Sequence, residues 1–136
     1  MLIRNILEES VRKFDEVKAV KWLKKKEIME RSYGELMENV VSTRKGLLAE
    51  GFEGKHIALI GTSSVEWMES YLGIITGCTT AVPLDAALPC EDLIDLLNRS
   101  DSVALFLSPK LKPYLDAFLE NCPKLQKVWM LSLIHI

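Results

Sequence analysis

The stretch 56–85, HIALIGTSSVEWMESYLGIITGCTTAVPLD, constrains the chain most, because it carries a strand, a helix and a second strand with the turn chemistry between them. Residues 56–60 form a short apolar run closed by Gly61, the length and punctuation of a strand buried on both faces. Ser63 or Ser64 can cap the following helix by accepting from a free amide of its first turn, worth about 1 kcal/mol. Val65, Met68, Leu72 and Ile75 recur at spacings of three and four, with Trp67, Tyr71 and Ile74 as a second apolar stripe. Only Glu66, Glu69, Ser70 and Gly73 remain as a polar or small face. A helix this apolar is mostly buried, and the first stripe is expected to lie against the sheet. Gly77 ends the helix, residues 79–82 make the next strand, and Pro83 stops that strand from donating further ladder bonds. Two buried strands joined by a helix are expected to be parallel, with a right-handed crossover.

The flanking sequence extends this unit in both directions. Asn5 is the expected cap of an amphipathic helix through Phe14, followed by a hairpin of residues 17–23 and 27–32 around the lysine turn Lys24-Lys25-Lys26. Ser32 and Glu35 have the spacing of a capping box. The helix they open runs to Glu50, with Tyr33, Leu36, Val40, Thr43 and Leu47 inward and Gly51 as its left-handed stop. Downstream, Pro89 opens a helix with Leu93, Leu96 and Leu97 as its core face. Residues 103–107 and 127–130 read as strands on either side of a helix from Pro113 to about Asn121. Strand and helix therefore alternate from His56 to Met130, and the fold class is α/β: an open, mostly parallel sheet flanked by helices, preceded by a helix and a β-hairpin.

A chain of 136 residues supports one domain with a sizeable core. Its 17 basic and 19 acidic residues are spread along the sequence, so no basic footprint points to nucleic acid, and the lysine turn reads as a solvated connection. Cys78, Cys90 and Cys122 are odd in number, lie in or beside apolar segments and read as buried, reduced thiols of a cytoplasmic protein. No signal peptide is visible. The longest uncharged stretch, residues 70–84, carries two glycines and a proline and is too short and broken to span a bilayer.

The motifs that could carry chemistry are weak. Gly61-Thr62-Ser63-Ser64 sits where a strand hands over to a helix, a place that can hold a phosphate, but it lacks a G-x-G-x-x-G or Walker pattern and reads as a cap. A nucleophile elbow would need glycine at Val65. No two cysteines have zinc-ligand spacing. Trp67 and Tyr71 read as core aromatics. No catalytic, cofactor-binding or metal-binding residue is assigned.

Taken together, residues 31–36 (RSYGEL), 56–67 (HIALIGTSSVEW), 72–85 (LGIITGCTTAVPLD) and 88–108 resemble the amino-terminal part of the AMP-forming acyl-CoA synthetases, the adenylate-forming superfamily. The Val-Pro-Leu-Asp run followed by Leu-Pro and an acidic helix is most similar to the long-chain fatty acid branch, although Cys78 stands where many relatives carry glycine. The resemblance implies a parent ligase that uses ATP and magnesium to convert a carboxylic acid to an acyl-adenylate, then transfers the acyl group to coenzyme A. None of the family's catalytic motifs occurs in this sequence, so the chain by itself is expected to be inactive and to hold none of these cofactors. Residues 1–130 are expected to form a partial amino-terminal AMP-binding domain. Leu131 to Ile136 (LSLIHI) are expected to be a non-native tail, because one coding of them resembles a transposase-end sequencing adapter, the rival reading being one long apolar strand over 128–134. The alternative is a self-contained flavodoxin-like binding or regulatory module without catalysis.

Overall fold

The computed structural model describes residues 2–131. Helix α1 (Ile3–Phe14) leads into a hairpin of β1 (Lys18–Lys24) and β2 (Glu27–Ser32), and α2 (Tyr33–Ala49) follows. The alternating part comprises β3 (His56–Ile60), α3 (Val65–Ile75), β4 (Thr80–Leu84), α4 (Cys90–Arg99), β5 (Ser102–Leu107), α5 (Leu115–Asn121) and β6 (Lys127–Met130), with a 3-10 helix, Pro109–Tyr114, before α5. The β3–β6 strands form one parallel sheet in the order β4-β3-β5-β6, as expected from their burial and the helices between them.

Two apolar layers cover the sheet. On one face Ile57, Leu59, Ala104 and Phe106 pack beneath Leu47 of α2 and Ile74 of α3. On the other, Ala58, Ile60, Leu105 and Leu107 meet Leu93 and Leu97 of α4 and Phe118 of α5. Consecutive β3 residues alternate between these layers while four of its five residues are buried, which is why the strand reads as an unbroken apolar run. Trp129 stacks on Phe106 at 4.9 Å and meets Phe52 edge-on at 6.3 Å, closing the first layer at its β6 side.

The helix signals act largely where the sequence puts them. Ser32 Oγ accepts from Glu35 N–H at 3.1 Å while the Glu35 carboxylate accepts from Ser32 N–H at 2.8 Å. Those bonds, the backbone one foremost, hold the Glu35 carboxyl below its ordinary pKa. Gly51 has φ +77° at the end of α2. Ser64, rather than Ser63, caps α3 by accepting from Trp67 N–H at 3.1 Å.

Several expectations are corrected. Leu2, not Asn5, occupies the cap position of α1, which begins three residues earlier than the polar signal suggests. Strand β4 continues through Pro83 to Leu84, because it lies at the sheet edge and needs ladder donors on one side only. In α3, Met68, Leu72 and Ile75 are half-buried, whereas Glu66, Glu69, Ser70 and Gly73 are buried. The helix is sandwiched, and the small and polar stripe faces α2 rather than solvent. An ideal Cβ on Gly73 would lie 2.6 Å from Thr43 Cβ and 3.0 Å from Val40 O, so glycine lets the two helices approach. All three cysteines are free, but Cys78 is exposed in the turn after α3, Cys90 is half-buried and Cys122 is buried. Of the expected tail, Leu131 is described: its N–H donates to Leu107 O at 2.7 Å and its side chain is buried. Residues 132–136 lie outside the described residues.

Candidate functional site

In an open parallel sheet, ligands bind beyond the carboxyl ends of the strands, where chain connections diverge to opposite faces. Here that point lies between β3, which leads to α3 on one face, and β5, which leads to α5 on the other. Gly61 leaves β3 at this crevice and Ser108 leaves β5 beside it, with Ser108 N–H donating to Ile60 O at 2.9 Å. A Cβ on Gly61 would lie 3.0 Å from Leu131 Cδ1, 3.2 Å from Ser108 Cβ and 3.3 Å from Trp67 Cδ1. Gly61 is thus crowded by the chain's own side chains.

Thr62 and Ser63 are exposed at the rim, and Ser64 is engaged as the cap of α3. No lysine or arginine occurs in 61–64 or 85–89, the segments that leave β3 and β4 at this end. The segment that leaves β5 carries Lys110 and Lys112 on the exposed side of the 3-10 helix, not converging with a second cation from β3 or β4. Triphosphate binding needs converging cations and free amides, so these residues do not fit ATP. Among the described residues, no group of three His, Cys, Asp or Glu side chains is placed to hold a metal ion.

The sequence reading missed a charged node at the centre of the α2–α3 interface. Glu69, fully buried on α3, receives Asn39 Nδ2 of α2 at 2.8 Å and pairs with Arg31 Nε of β2 at 3.0 Å. The Arg31 guanidinium in turn lies over the Trp22 ring of β1, 5.4 Å from its centroid. Burial outweighs the hydrogen bond from Asn39 and the charge of Arg31, and pushes the Glu69 carboxyl up to about 7. Glu66 is also buried one turn earlier, and its Oε1 has no hydrogen-bond partner among the described residues. The signal was present in the spacing: Glu66, Glu69, Ser70 and Gly73 fall on one helical stripe, and a helix covered on both sides has to bury that stripe as well. Sealed inside, the Glu69 carboxyl anchors the hairpin and two helices to one another.

The remaining singled-out residues do not converge. Trp67 and Tyr71 stack at 5.3 Å and pack on the first apolar layer. A cleft of about 620 Å³, lined by Lys55, His56, Asp101 and Lys124 among others, opens at the amino ends of β3 and β5, the end of the sheet opposite the crevice. There Lys124 holds Asp101 below its ordinary pKa, and His56 Nδ1 lies 2.7 Å from Ser100 O.

A four-stranded parallel sheet in this order, with helices on both faces, defines a doubly wound α/β domain. Flavodoxin-like sheets share that strand order, so topology alone does not separate the two readings of the sequence. The family comparison does. Residues 7–134 match the model of the AMP-binding enzyme family, and the chain belongs to that family. No curated protein matches the chain.

Solved structures of acid–CoA ligases and related enzymes share the fold. The coronafacic acid ligase from Pectobacterium brasiliense is 20% identical with a TM-score of 0.88, over 98% of this chain and 26% of that one. The N-terminal domain of FACL13 from Mycobacterium tuberculosis, bound to an inhibitor, is 18% identical with a TM-score of 0.84, over 95% of this chain and 33% of that one. The anthranilate CoA ligase AuaEII, in complex with anthranoyl-AMP, is 18% identical with a TM-score of 0.81, over 96% of this chain and 25% of that one. The chain therefore spans a quarter to a third of the length of these structures. At these identities the likeness is one of fold.

Proposed function

We propose that this chain is the amino-terminal part of a cytoplasmic ligase that activates a carboxylic acid with ATP and passes it to coenzyme A. The family match across residues 7–134 is the observation that carries this reading. A carboxylate resists attack by a thiol until one oxygen becomes a good leaving group. Attack of the carboxylate on the α-phosphorus of ATP, with release of pyrophosphate, makes the acyl-adenylate. The thiol then forms the thioester and AMP departs. The acid is proposed to be a long-chain fatty acid, on the Val82-Pro83-Leu84-Asp85 run and the Leu88-Pro89 start of α4.

No step of that reaction is assigned to the described residues. The crevice offers no converging cations for a triphosphate, and the groups that hold ATP, magnesium and coenzyme A are proposed to lie in a longer polypeptide. Residues 1–136 are therefore proposed to be inactive alone, with residues 1–130 forming a partial AMP-binding domain and residues 131–136 a non-native tail. The test is acid-dependent exchange of pyrophosphate into ATP across short, medium and long fatty acids, run with this chain and with an intact relative. Exchange by the relative alone is expected. Clear acid-dependent exchange by residues 1–136 would overturn the assignment of the chemistry to a longer chain, and reading the gene beyond Met130 tests the tail directly.

A further inference from the structure

The hairpin carries a charge opposite to that of the chain around it. Residues 18–32 hold six basic and two acidic side chains, in a chain whose formal net charge is -2. Lys24, Lys25 and Lys26 concentrate that charge at the tip, where among the described residues none of the three enters an ion pair. Immediately behind the tip, Leu23 and Ile28 face each other across the ladder and are 72% and 69% exposed. Side chains alternate along a strand, so this aliphatic pair lies on the opposite face from Trp22 and Arg31, which turn toward Glu69. Lys21, on the outer face, is already neutralised by Glu30 at 3.7 Å. Glu27 stands opposite Lys24 across the ladder, so the turn lysines Lys25 and Lys26 above all are left as uncompensated charge beside the exposed apolar pair.

We infer that the hairpin tip docks on an anionic lipid bilayer, with Lys24, Lys25 and Lys26 against the headgroups and Leu23 and Ile28 entering the boundary between headgroups and acyl chains. Charge complementarity alone would fit any polyanion. The aliphatic pair selects the bilayer: nucleic acid is gripped by cations together with aromatic stacking, and the outer face offers two branched aliphatic side chains with no ring. Basic residues near an anionic leaflet each add about a fivefold factor to binding, and buried aliphatic groups add an apolar term that salt does not screen.

The test is co-sedimentation of the purified protein with vesicles of phosphatidylcholine, with and without phosphatidylglycerol. Binding is expected to the anionic vesicles alone, to weaken with salt, and to fall at least about tenfold in a Lys24→Glu, Lys25→Glu, Lys26→Glu variant. A Leu23→Ser, Ile28→Ser variant, which keeps every lysine, is expected to lose several-fold in vesicle binding while its retention on heparin is unchanged. Thermal melts of both variants check that the fold persists. Absence of vesicle binding, equal binding to neutral vesicles, or indifference of vesicle binding to Leu23 and Ile28 would overturn the inference. So would a dimer that the Leu23 and Ile28 changes dissociate, since the outer face would then be an interface between copies.

Discussion

Arg31 Nε stands 3.0 Å from Glu69 Oε2, and this pair joins the amino-terminal hairpin to the interior face of α3. Its physics is dominated by burial. Glu69 titrates near 4.5 when unfolded and near 7 in the fold, so between those values the native state holds a proton that the unfolded chain has released. Stability contributed through this group is fully present below pH 4.5 and is lost as pH rises toward 7. Urea midpoints should fall across that window, by on the order of 2 kcal/mol in stability, and Glu69→Gln should flatten the profile.

The partner behaves differently at the two ends of the same window. Arg31→Ala removes the cation that favours ionised Glu69, so at pH 8 the buried carboxyl is held protonated at an added cost of about 1 kcal/mol that is absent at pH 5, where it is already mostly neutral. The destabilisation measured by urea should therefore be larger at pH 8 than at pH 5. Equal losses at both pH values would show that Arg31 acts by packing on Trp22 alone.

Two helical glycines should respond to alanine with opposite signs. A methyl at Gly73 meets Thr43 Cβ at 2.6 Å and the Val40 carbonyl at 3.0 Å, so Gly73→Ala should cost about 1–3 kcal/mol by forcing α2 and α3 apart. Gly46, inside α2, has nothing within 4 Å of its ideal Cβ. Gly46→Ala should stabilise by about 0.5–1 kcal/mol, because it restricts the unfolded chain without a clash. Paired thermal melts decide both.

The hairpin turn is held in a conformation its residues disfavour. Lys25 and Lys26 have φ of 48° and 69°, the left-handed pair of a type I′ turn, without the Asn-Gly that suits it. Replacing them by Lys25→Asn and Lys26→Gly should raise stability by about 1 kcal/mol, seen as slower amide exchange in β1 and β2.

Thiol reactivity should follow burial. Native protein should show fast modification at Cys78, slower modification at Cys90 and strong protection at Cys122, whose pKa burial pushes up. Denatured protein prepared without reductant should give three thiols; a count of one would reveal a disulfide.

The sheet was legible because its determinants are local. Four short apolar runs separated by helices admit few topologies, and the β3 run 56–60, the Ser32–Glu35 box and the Gly51 stop all act where their spacing places them. Errors arose where a residue's partner is distant in sequence. Pro83 looked like a strand end until the strand order placed β4 at an edge, and the exposure of Cys78 depends on how the turn after α3 meets the rest of the chain.

The sequence by itself determined the periodicities, the caps, the parallel class of the sheet and the family resemblance that residues 31–108 carry, since each rests on residue type and spacing along the chain. Only the tertiary structure decided that Glu69, Asn39 and Arg31 meet, that Gly73 is a contact and not a gap, and that Leu131, Trp67 and Ser108 crowd Gly61. A helix's pattern names its faces but not what covers each one. A polar stripe costs little in water and has to find partners in the interior, so its role is set by which neighbour arrives, and that follows from how the helices and the hairpin pack together.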